Sequence, residues 1–353
     1  MKYAACKGVK TQMQTKAWYE DTLADSAQIV SSRIRLARNL QAYHFSRKIS
    51  PSQASELIRY AQAAAGQASA QTGLLNYTDV AELPDVMKMA MLERHIISAE
   101  MLSKSTCGLL SSSDGALAIL LNEEDHIRIQ SFRTGDDIDT AFEIAERTDN
   151  ALEQNLDYAF TKELGYLTSC PSNTGTGLRA SFMVHLPLLE RSNQMRNIIT
   201  ALTKFGMTIR GVFGEGSESA GAFYQISNQV TLGKSEQEII ESLKNITAQI
   251  CEREIILRQK ALDREKYDLL DRVYRSYAIL SSCRRINASE AMSFLSNVRL
   301  GFCAGILDKP RPDRSLLGIM MNIRDANIQI LSGQNSGESK DVCRADYLRS
   351  VFN

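Results

Sequence analysis

Apolar and polar residues alternate in several short stretches of the first two-thirds of the chain and recur at helical spacing through the last third. Residues 29–36 (Ile-Val-Ser-Ser-Arg-Ile-Arg-Leu) predict a strand with Arg33 and Arg35 on one face and Ile34 and Leu36 on the other. Pro51-Ser52 opens an Ala-rich helix near 52–65, and Pro84 sits at the predicted first turn of a helix running to about 104; Gly66, Gly73 and Thr78-Asp79 punctuate between them. Residues 116–121 and 126–132 predict a hairpin whose tip is the acidic Asn122–Asp125, and a long helix follows over about 139–164. A strand at 179–187 alternates Arg179, Ser181, Met183 and His185 against Ala180, Phe182, Val184 and Leu186. A helix near 190–204 then leads to a strand over 207–213 that holds Arg210, with another strand near 221–228.

From about 234 the pattern becomes helical throughout, as in Ile239-Ile240-Leu243-Ile246-Ile250 and Leu269-Leu270-Val273-Tyr274-Tyr277-Leu280. These patterns predict an α+β fold: an antiparallel sheet flanked by helices, followed by a C-terminal helical domain. The boundary is expected near 240, separating 1–240, with an N-terminal arm over 1–26, from a helical domain over 241–353. Within the latter, a loop is expected at 303–313 and a polar break at 332–339 before a last short helix.

Composition narrows the function. Lys+Arg and Asp+Glu are both 41, so no overall basic field favours nucleic acid. The 7 cysteines are odd in number, scattered and never arranged as Cys-x-x-Cys, which argues against a zinc site or a disulfide framework and fits a reduced cytoplasm. No apolar run reaches the length of a membrane span, and residues 1–30 lack the core of a signal peptide, so a cytoplasmic protein with no membrane partner is expected.

The candidate chemistry is cationic and local. Arg33, Arg35, Arg128, Arg179 and Arg210 each point away from the apolar face of their strand, so strands sharing one sheet would bring five guanidinium groups together. A lone strand arginine is ordinarily just solvated. Five converging ones call for an anion, and guanidinium forks match phosphate oxygens bidentately. At an effective dielectric near 20 each contact at about 4 Å is worth roughly 4 kcal/mol before desolvation, so a nucleotide triphosphate with Mg²⁺ suits the set. Glu123-Glu124-Asp125-His126 would by itself read as a solvated hairpin tip, but alternation from the tip puts Glu124, His126 and Arg128 on one face. Glu215 follows Arg210 by five residues. Two carboxylates beside phosphate-binding arginines suit a cationic acceptor, whose guanidinium must be clamped and relieved of a proton before it can attack phosphorus. Cys170 precedes Pro171 and a Gly175-x-Gly177 turn; it reads either as a packing residue or as a thiolate favoured by nearby arginines. The glycine turn is neither a Walker loop nor a dinucleotide fingerprint.

In this order, Ser31-Ser32-Arg33-Ile34-Arg35, Asn122-Glu123-Glu124-Asp125-His126, Cys170-Pro171-Ser172-Asn173, Gly177-Leu178-Arg179-Ala180-Ser181 and Arg210-Gly211 through Gly214-Glu215 resemble the signatures of the phosphagen (ATP:guanido) kinase family, over about 27–250. The resemblance implies that ATP is held around Arg33, Arg35, Arg128, Arg179 and Arg210, within the segments Ser31–Arg35, Arg179–Met183 (Ala180, Ser181, Phe182) and Arg210–Glu215 (Gly211, Val212, Phe213, Gly214), with His95 near the nucleotide. It makes Glu124 the catalytic base, Glu215 the second guanidinium clamp and Cys170 a substrate-facing thiol, with Mg²⁺ carried by ATP.

Creatine and arginine kinases carry a helical domain before the Arg-x-Arg strand, including a loop that closes over the small guanidine; here only the N-terminal arm precedes it. With the helical region after 240 and the segments 214–218 and 224–235, the chain resembles the bacterial protein-arginine kinases. That resemblance implies protein substrates with exposed arginines, marking for Clp proteases in the stress response, a homodimer and a zinc-binding activator protein. A kinase of free arginine or another small guanidine, and a non-catalytic adaptor of the same fold, are the alternatives. The family's C-terminal domain also has a phosphoarginine pocket near an Arg-Asp pair. By that resemblance the matching stretch is Lys340–Ala345, so Lys340, Asp341 and Arg344 read either as such a pocket, whose lysine cannot supply a bidentate fork, or as a solvated helix end.

Overall fold

The computed structural model describes residues 16–213, 219–307, 312–333 and 339–353. The first alternating stretch becomes β1 (Ile29–Arg38), which lies inside the sheet that organises the molecule. After it, α1 (Pro51–Gln67) starts on a capping box in which Ser50 and Gln53 exchange hydrogen bonds, and a single turn, α2 (Ser69–Thr72), leads to the edge strand β2 (Asn76–Asp79). Helix α3 (Asp85–Glu93) precedes β3 (Gly108–Ser111), β4 (Leu117–Leu121) and β5 (Ile127–Thr134); then come α4 (Ile138–Glu153) and a small hairpin, β6 (Phe160–Thr161) with β7 (Gly165–Tyr166). Strand β8 (Leu178–His185), helices α5 (Pro187–Arg191) and α6 (Met195–Lys204), and strands β9 (Met207–Phe213) and β10 (Ser219–Asn228) complete the sheet. Eight strands pair in the order β2-β3-β4-β5-β1-β8-β10-β9, every described pairing antiparallel.

The period of two separates the sheet's faces as expected. Ile34, Leu36, Ile129, Ala180, Phe182 and Ile226 turn to one side and form the larger core with Leu57 and Ala61 of α1, Ala141 and Ala145 of α4, Ile198 and Leu202 of α6, and the start of α7 (Glu236–Arg264). Helix α7 opens on its own capping box, Ser235 with Glu238, and runs unbroken through position 240. Its Ile239, Ile240, Leu243, Ile250 and Cys251 belong to that same core, and the chain first breaks at Glu265, before α8 (Lys266–Ser282). The opposite face is shared. At one end Phe132, Val212 and Phe223 are covered by α8, α9 (Ala288–Cys303), α10 (Leu316–Asn322) and α12 (Lys340–Phe352), with Trp18 and Tyr19 wedged among them. Helix α11 (Asp325–Leu331) packs on α3. The other end of that face carries the arginines.

Two expected helices end early and a third is split. Helix α3 stops at Glu93 rather than near 104, because His95 takes the left-handed conformation (φ 60°) of a Schellman cap: its N–H bonds Leu92 O and that of Ile96 bonds Met91 O. Glycine usually occupies that position, so the sequence carries no stop signal. Helix α4 ends at Glu153, after which Leu40 bridges Tyr158 and the β6–β7 hairpin forms. The helix expected over 190–204 is two, parted at Asn193 (φ 56°).

Candidate active site

Strand register brings the arginines together. Across β1, Arg35 lies opposite both Arg179 and Gln130, Arg33 opposite Ser181 and Phe132, and Ala37 opposite Arg128, while Arg210 of the edge strand pairs with Gln225. All share one face, and like charges in such proximity weaken each other's hold on a proton. Burial, then Arg128, pulls the Arg33 pKa down to about 9. Burial and then Arg33, Arg128 and Arg179 pull Arg35 well below its ordinary value; burial and then Arg210 lower Arg179. Arg33 donates to Gln130 Oε1 at 2.5 Å, yet the Nε atoms of Arg33, Arg35 and Arg179 are buried with no hydrogen-bond partner among the described residues. Arg35, Ala37, Glu124, Arg128, Asn173, Gly177 and Arg179 line the cleft between them.

The acidic tip turns at Asn122 (φ 56°), whose N–H bonds His126 O at 2.8 Å. Arg128 is gripped by two carboxylates, Glu123 at 2.7 Å and Glu124 at 2.9 Å. Glu123 is buried and is the internal counter-charge of the cluster, a role marked in the sequence only by the Glu-Glu doublet. Glu124 is half-buried, and burial raises its pKa against the opposing pull of Arg128. Asp125 takes no part in the cleft: its Oδ1 accepts from Asn39 Nδ2 and Ser169 N, both at 2.7 Å, tying the tip to the cysteine loop. His126 does not share the site with Glu124 as expected. It is fully buried, accepting from Leu40 N at Nδ1 and donating from Nε2 to His44 O at 2.8 Å, and so serves as a strut.

Cys170 opens a single 3-10 turn (Pro171–Asn173) beside Arg179, with its Sγ 3.1 Å from Ser172 Oγ. The loop is braced from behind by Thr231, which donates to Thr174 O at 2.7 Å. At its exit a glycine is obligatory: Gly177 has φ 67°, and a Cβ there would meet Ala37 O at 2.6 Å and the Arg38 guanidinium at 2.4 Å. The arginine face continues from the cleft into a second pocket lined by Trp18, Ser31, Arg33, His95, Phe132, Ser181, Met183, Val212 and Gln225. Phe132 lies between the Trp18 ring, stacked at 4.8 Å, and the Arg33 guanidinium at 4.9 Å. Trp18 Nε1 and His95 Nε2 are buried here without partners among the described residues. Burial and then Arg33, Arg324 and Arg35 push the His95 pKa down to about 3, so this imidazole is neutral.

Of the expected nucleotide residues, Ser31, Arg33, Arg35, His95, Arg128, Arg179, Ser181, Met183, Arg210 and Val212 therefore lie along one face. Ser32, Ile34, Ala180 and Phe182 do not. The pleat turns Ile34, Ala180 and Phe182 into the opposite core, and Ser32 Oγ bonds Gly135 O and Asp137 N, so their side chains cannot touch a ligand in the cleft. Gly211 lies in β9, Phe213 packs in the smaller core, and Gly214 and Glu215 fall outside the described residues. Trp18, Phe132, Gln130 and Gln225 join the site without any mark in their local sequence, whereas Asn173, also unassigned, closes the Cys170–Asn173 signature.

Arg344 is not free to serve as the expected phosphoarginine ligand. Arg344 is fully buried, donating from Nε to Ile323 O (2.6 Å), from Nη1 to Ile286 O (2.9 Å) and Asp341 (2.7 Å), and from Nη2 to Asp325 (2.5 Å). Four of its five donors are committed within the protein, so it clasps α12 to its neighbours and cannot fork a phosphate. Asp341 also faces Arg285 at 3.6 Å, and Lys340 reaches Asp325 at 3.8 Å. Among the described residues no three His, Cys, Asp or Glu gather to hold a metal, and no helix is long and apolar enough to cross a membrane.

Known proteins resemble this chain in sequence and in fold. The sequence profile of the ATP:guanido phosphotransferase C-terminal catalytic domain matches residues 56–257, and that of the protein-arginine kinase McsB C-terminal domain matches 266–353. A protein-arginine kinase of Clostridium kluyveri is 40% identical over 323 residues, covering 91% of this chain and 93% of that protein. One from Clostridium acetobutylicum is 36% identical over 338 residues, with 95% and 98% coverage. Lombricine kinase shares the fold at a TM-score of 0.57 and 24% identity, over 71% of this chain and 72% of that one. The duplicated taurocyamine kinase of Schistosoma mansoni does so at 0.59 and 24%, over 70% of this chain and 37% of that longer one.

Proposed function

This chain belongs to the ATP:guanido phosphotransferase family, on its protein-arginine kinase branch, and from that membership we propose that it transfers the γ-phosphoryl group of ATP to arginine side chains of proteins. The observation that carries the reading is the row of arginines with orphaned Nε atoms and weakened protons, which calls for a polyanion, beside a carboxylate of raised pKa at the rim. Phosphoryl transfer needs mainly positioning and charge neutralisation. Arg35, Arg128 and Arg179, flanked by Arg33 and Arg210, hold the phosphates. The base lies in the pocket of Trp18, His95 and Phe132, where neutral His95 Nε2 and Trp18 Nε1 offer hydrogen bonds. Mg²⁺ carried by the nucleotide would offset the phosphate charge alongside these arginines.

Glu124 is the catalytic base. As an acceptor guanidinium nitrogen attacks, its proton passes to the Glu124 carboxylate; the new N–P bond forms while the bond from the γ-phosphorus to the β,γ-bridging oxygen breaks, and ADP leaves. Arg128 shifts from Glu123 and Glu124 toward phosphate as ATP arrives, leaving Glu124 ionised beside the acceptor. Cys170 steadies the guanidinium from the opposite loop, with Glu215 as the second clamp. A role in marking proteins for Clp-type proteolysis under stress, a homodimer, a zinc-binding activator and a cytoplasmic location rest on the family resemblance alone.

Incubation of the purified protein with Mg-ATP and casein tests the activity. The expected product is phosphate on protein that is lost in acid and survives base. Labelling of free arginine at a comparable rate, without protein product, would transfer the assignment to a small-guanidine kinase.

A further inference from the structure

Besides their apolar packing on Trp18, Phe132 and Val212, the C-terminal helices reach the nucleotide pocket through a polar junction. Glu93, the last residue of α3, accepts from Ala326 N and Asn327 N at 3.0 Å and from Asn327 Nδ2 at 2.8 Å, so it caps the start of α11, which has no side-chain cap of its own. Arg324, at the N-cap position of that helix, reaches the other way and donates from Nη1 to Phe213 O at 2.6 Å. The two anchors meet the chain where it is strained. His95, two residues past Glu93, has φ 60°, and Phe213 has φ 64°; their rings lie 5.5 Å apart. A bulky residue such as Phe rarely holds the left-handed region unless its surroundings impose it. Phe213 is the last residue of β9 and pairs with Ser219 beyond a register shift that follows the regular Met207–Gly211 ladder, so it sits at an irregular end of the strand pair. The Arg324 guanidinium is in turn aligned by its own helix, whose Asp325 is fastened by Arg344 of α12.

We propose that Arg324 is a positioning residue of the catalytic centre: by holding the Phe213 carbonyl it fixes the left-handed turn against which the His95 ring packs, and so shapes the pocket that receives the nucleotide base. Arg324 touches neither substrate nor reacting atoms; it acts through Phe213 and His95. The C-terminal region is thereby part of the machinery that binds ATP, and tail contacts that move α11 alter nucleotide affinity. This rests on the reading of the pocket given above.

The single tryptophan of the chain, Trp18, lines the same pocket and is a built-in reporter of its occupancy. Wild type, Arg324→Met and Arg324→Lys are titrated with Mg-ATP by Trp18 fluorescence, and initial rates on casein are measured against ATP concentration. Met keeps the length and apolar stem of the side chain, whereas Lys restores one charged donor. Loss of a charge-assisted hydrogen bond predicts that Arg324→Met raises the Kd and KM for Mg-ATP about tenfold with a much smaller change in kcat and an unaltered Tm, and that Arg324→Lys recovers most of the loss. An unchanged Kd in Arg324→Met overturns the proposal, and so do losses in Met and Lys that are equal and follow a fall in Tm. If casein is never labelled, the acceptor reading fails, while the Mg-ATP titration still decides the role of Arg324.

Discussion

Glu124→Gln is the sharpest perturbation of the site. The substitution preserves size and one acceptor oxygen, so the 2.9 Å contact with Arg128 can persist, and Glu123 continues to neutralise the cluster at 2.7 Å. What disappears is a carboxylate able to take the proton from the attacking nitrogen. General-base removal costs about 10²–10⁴ in rate, and the lower bound corresponds to about 2.7 kcal/mol of barrier. With Arg35 and Arg179 untouched, the Kd for Mg-ATP stays within several-fold. The pH profile adds an independent sign. Burial raises the Glu124 pKa above its ordinary 4.5, and the ionised form is the active one, so wild-type kcat/KM falls as pH drops through that raised value. The acid limb must vanish in the Gln variant. The assay is initial phosphorylation of casein at saturating Mg-ATP across the acidic range, beside calorimetric Mg-ATP binding. A variant that kept wild-type turnover at saturation while losing nucleotide affinity would refute the assignment, as would an acid limb unchanged in Glu124→Gln.

Arg179→Met removes a phosphate donor without changing the strand, and at about 1.5–3 kcal/mol for a hydrogen bond to a charged group it should weaken Mg-ATP by tenfold or more in calorimetry while leaving Tm unchanged; wild-type affinity would exclude Arg179 from the phosphate site. Arg344→Met strands the partly exposed Asp341 and two carbonyls of the clasp, which costs about 3 kcal/mol, seen as a marked fall in Tm; an unchanged Tm would restore Arg344 as an available ligand residue. Glu254 is buried where it accepts from Leu188 N and Leu189 N, and burial lifts its pKa from 4.5 to about 7. Since the folded form holds that proton to higher pH than the unfolded one, its contribution to stability is complete below 4.5 and is lost as pH rises through 7. Denaturant titrations should therefore give a stability difference between wild type and Glu254→Gln that changes with pH over that window, and a constant difference would remove Glu254 from the titration.

Local patterning determined the sheet: strict alternation around Arg33-Ile34-Arg35 and Arg179-Ala180-Ser181 specifies both the strands and which residues face the core, because a shift of one residue would bury a guanidinium. The same periodicity turned Arg33, Arg35, Arg128, Arg179 and Arg210 away from the apolar face of their own strands, and the pairing of those strands in one sheet gathered them. It also excluded Ile34, Ala180 and Phe182 from that face, so assigning these three to nucleotide by segment went against the alternation itself. Helix ends were less legible where the stop is a tertiary choice: His95 caps α3 in a conformation that glycine usually signals, with its ring packed on Phe213 and lining the pocket beside Arg33. The roles of neighbouring polar residues were hidden for the same reason. Glu123, Asp125 and His126 sit side by side with Glu124, yet one is a counter-charge, one a tie to the cysteine loop and one a strut, according to which buried partner each meets across the fold. Arg344 looked like a ligand from its helical spacing with Asp341, and only the approach of Ile286, Ile323 and Asp325 from distant parts of the chain made it a clasp. Alternation is a property of the chain itself and survives in any fold that buries one face, whereas the partner of a buried charge is chosen by long-range packing that no local pattern encodes.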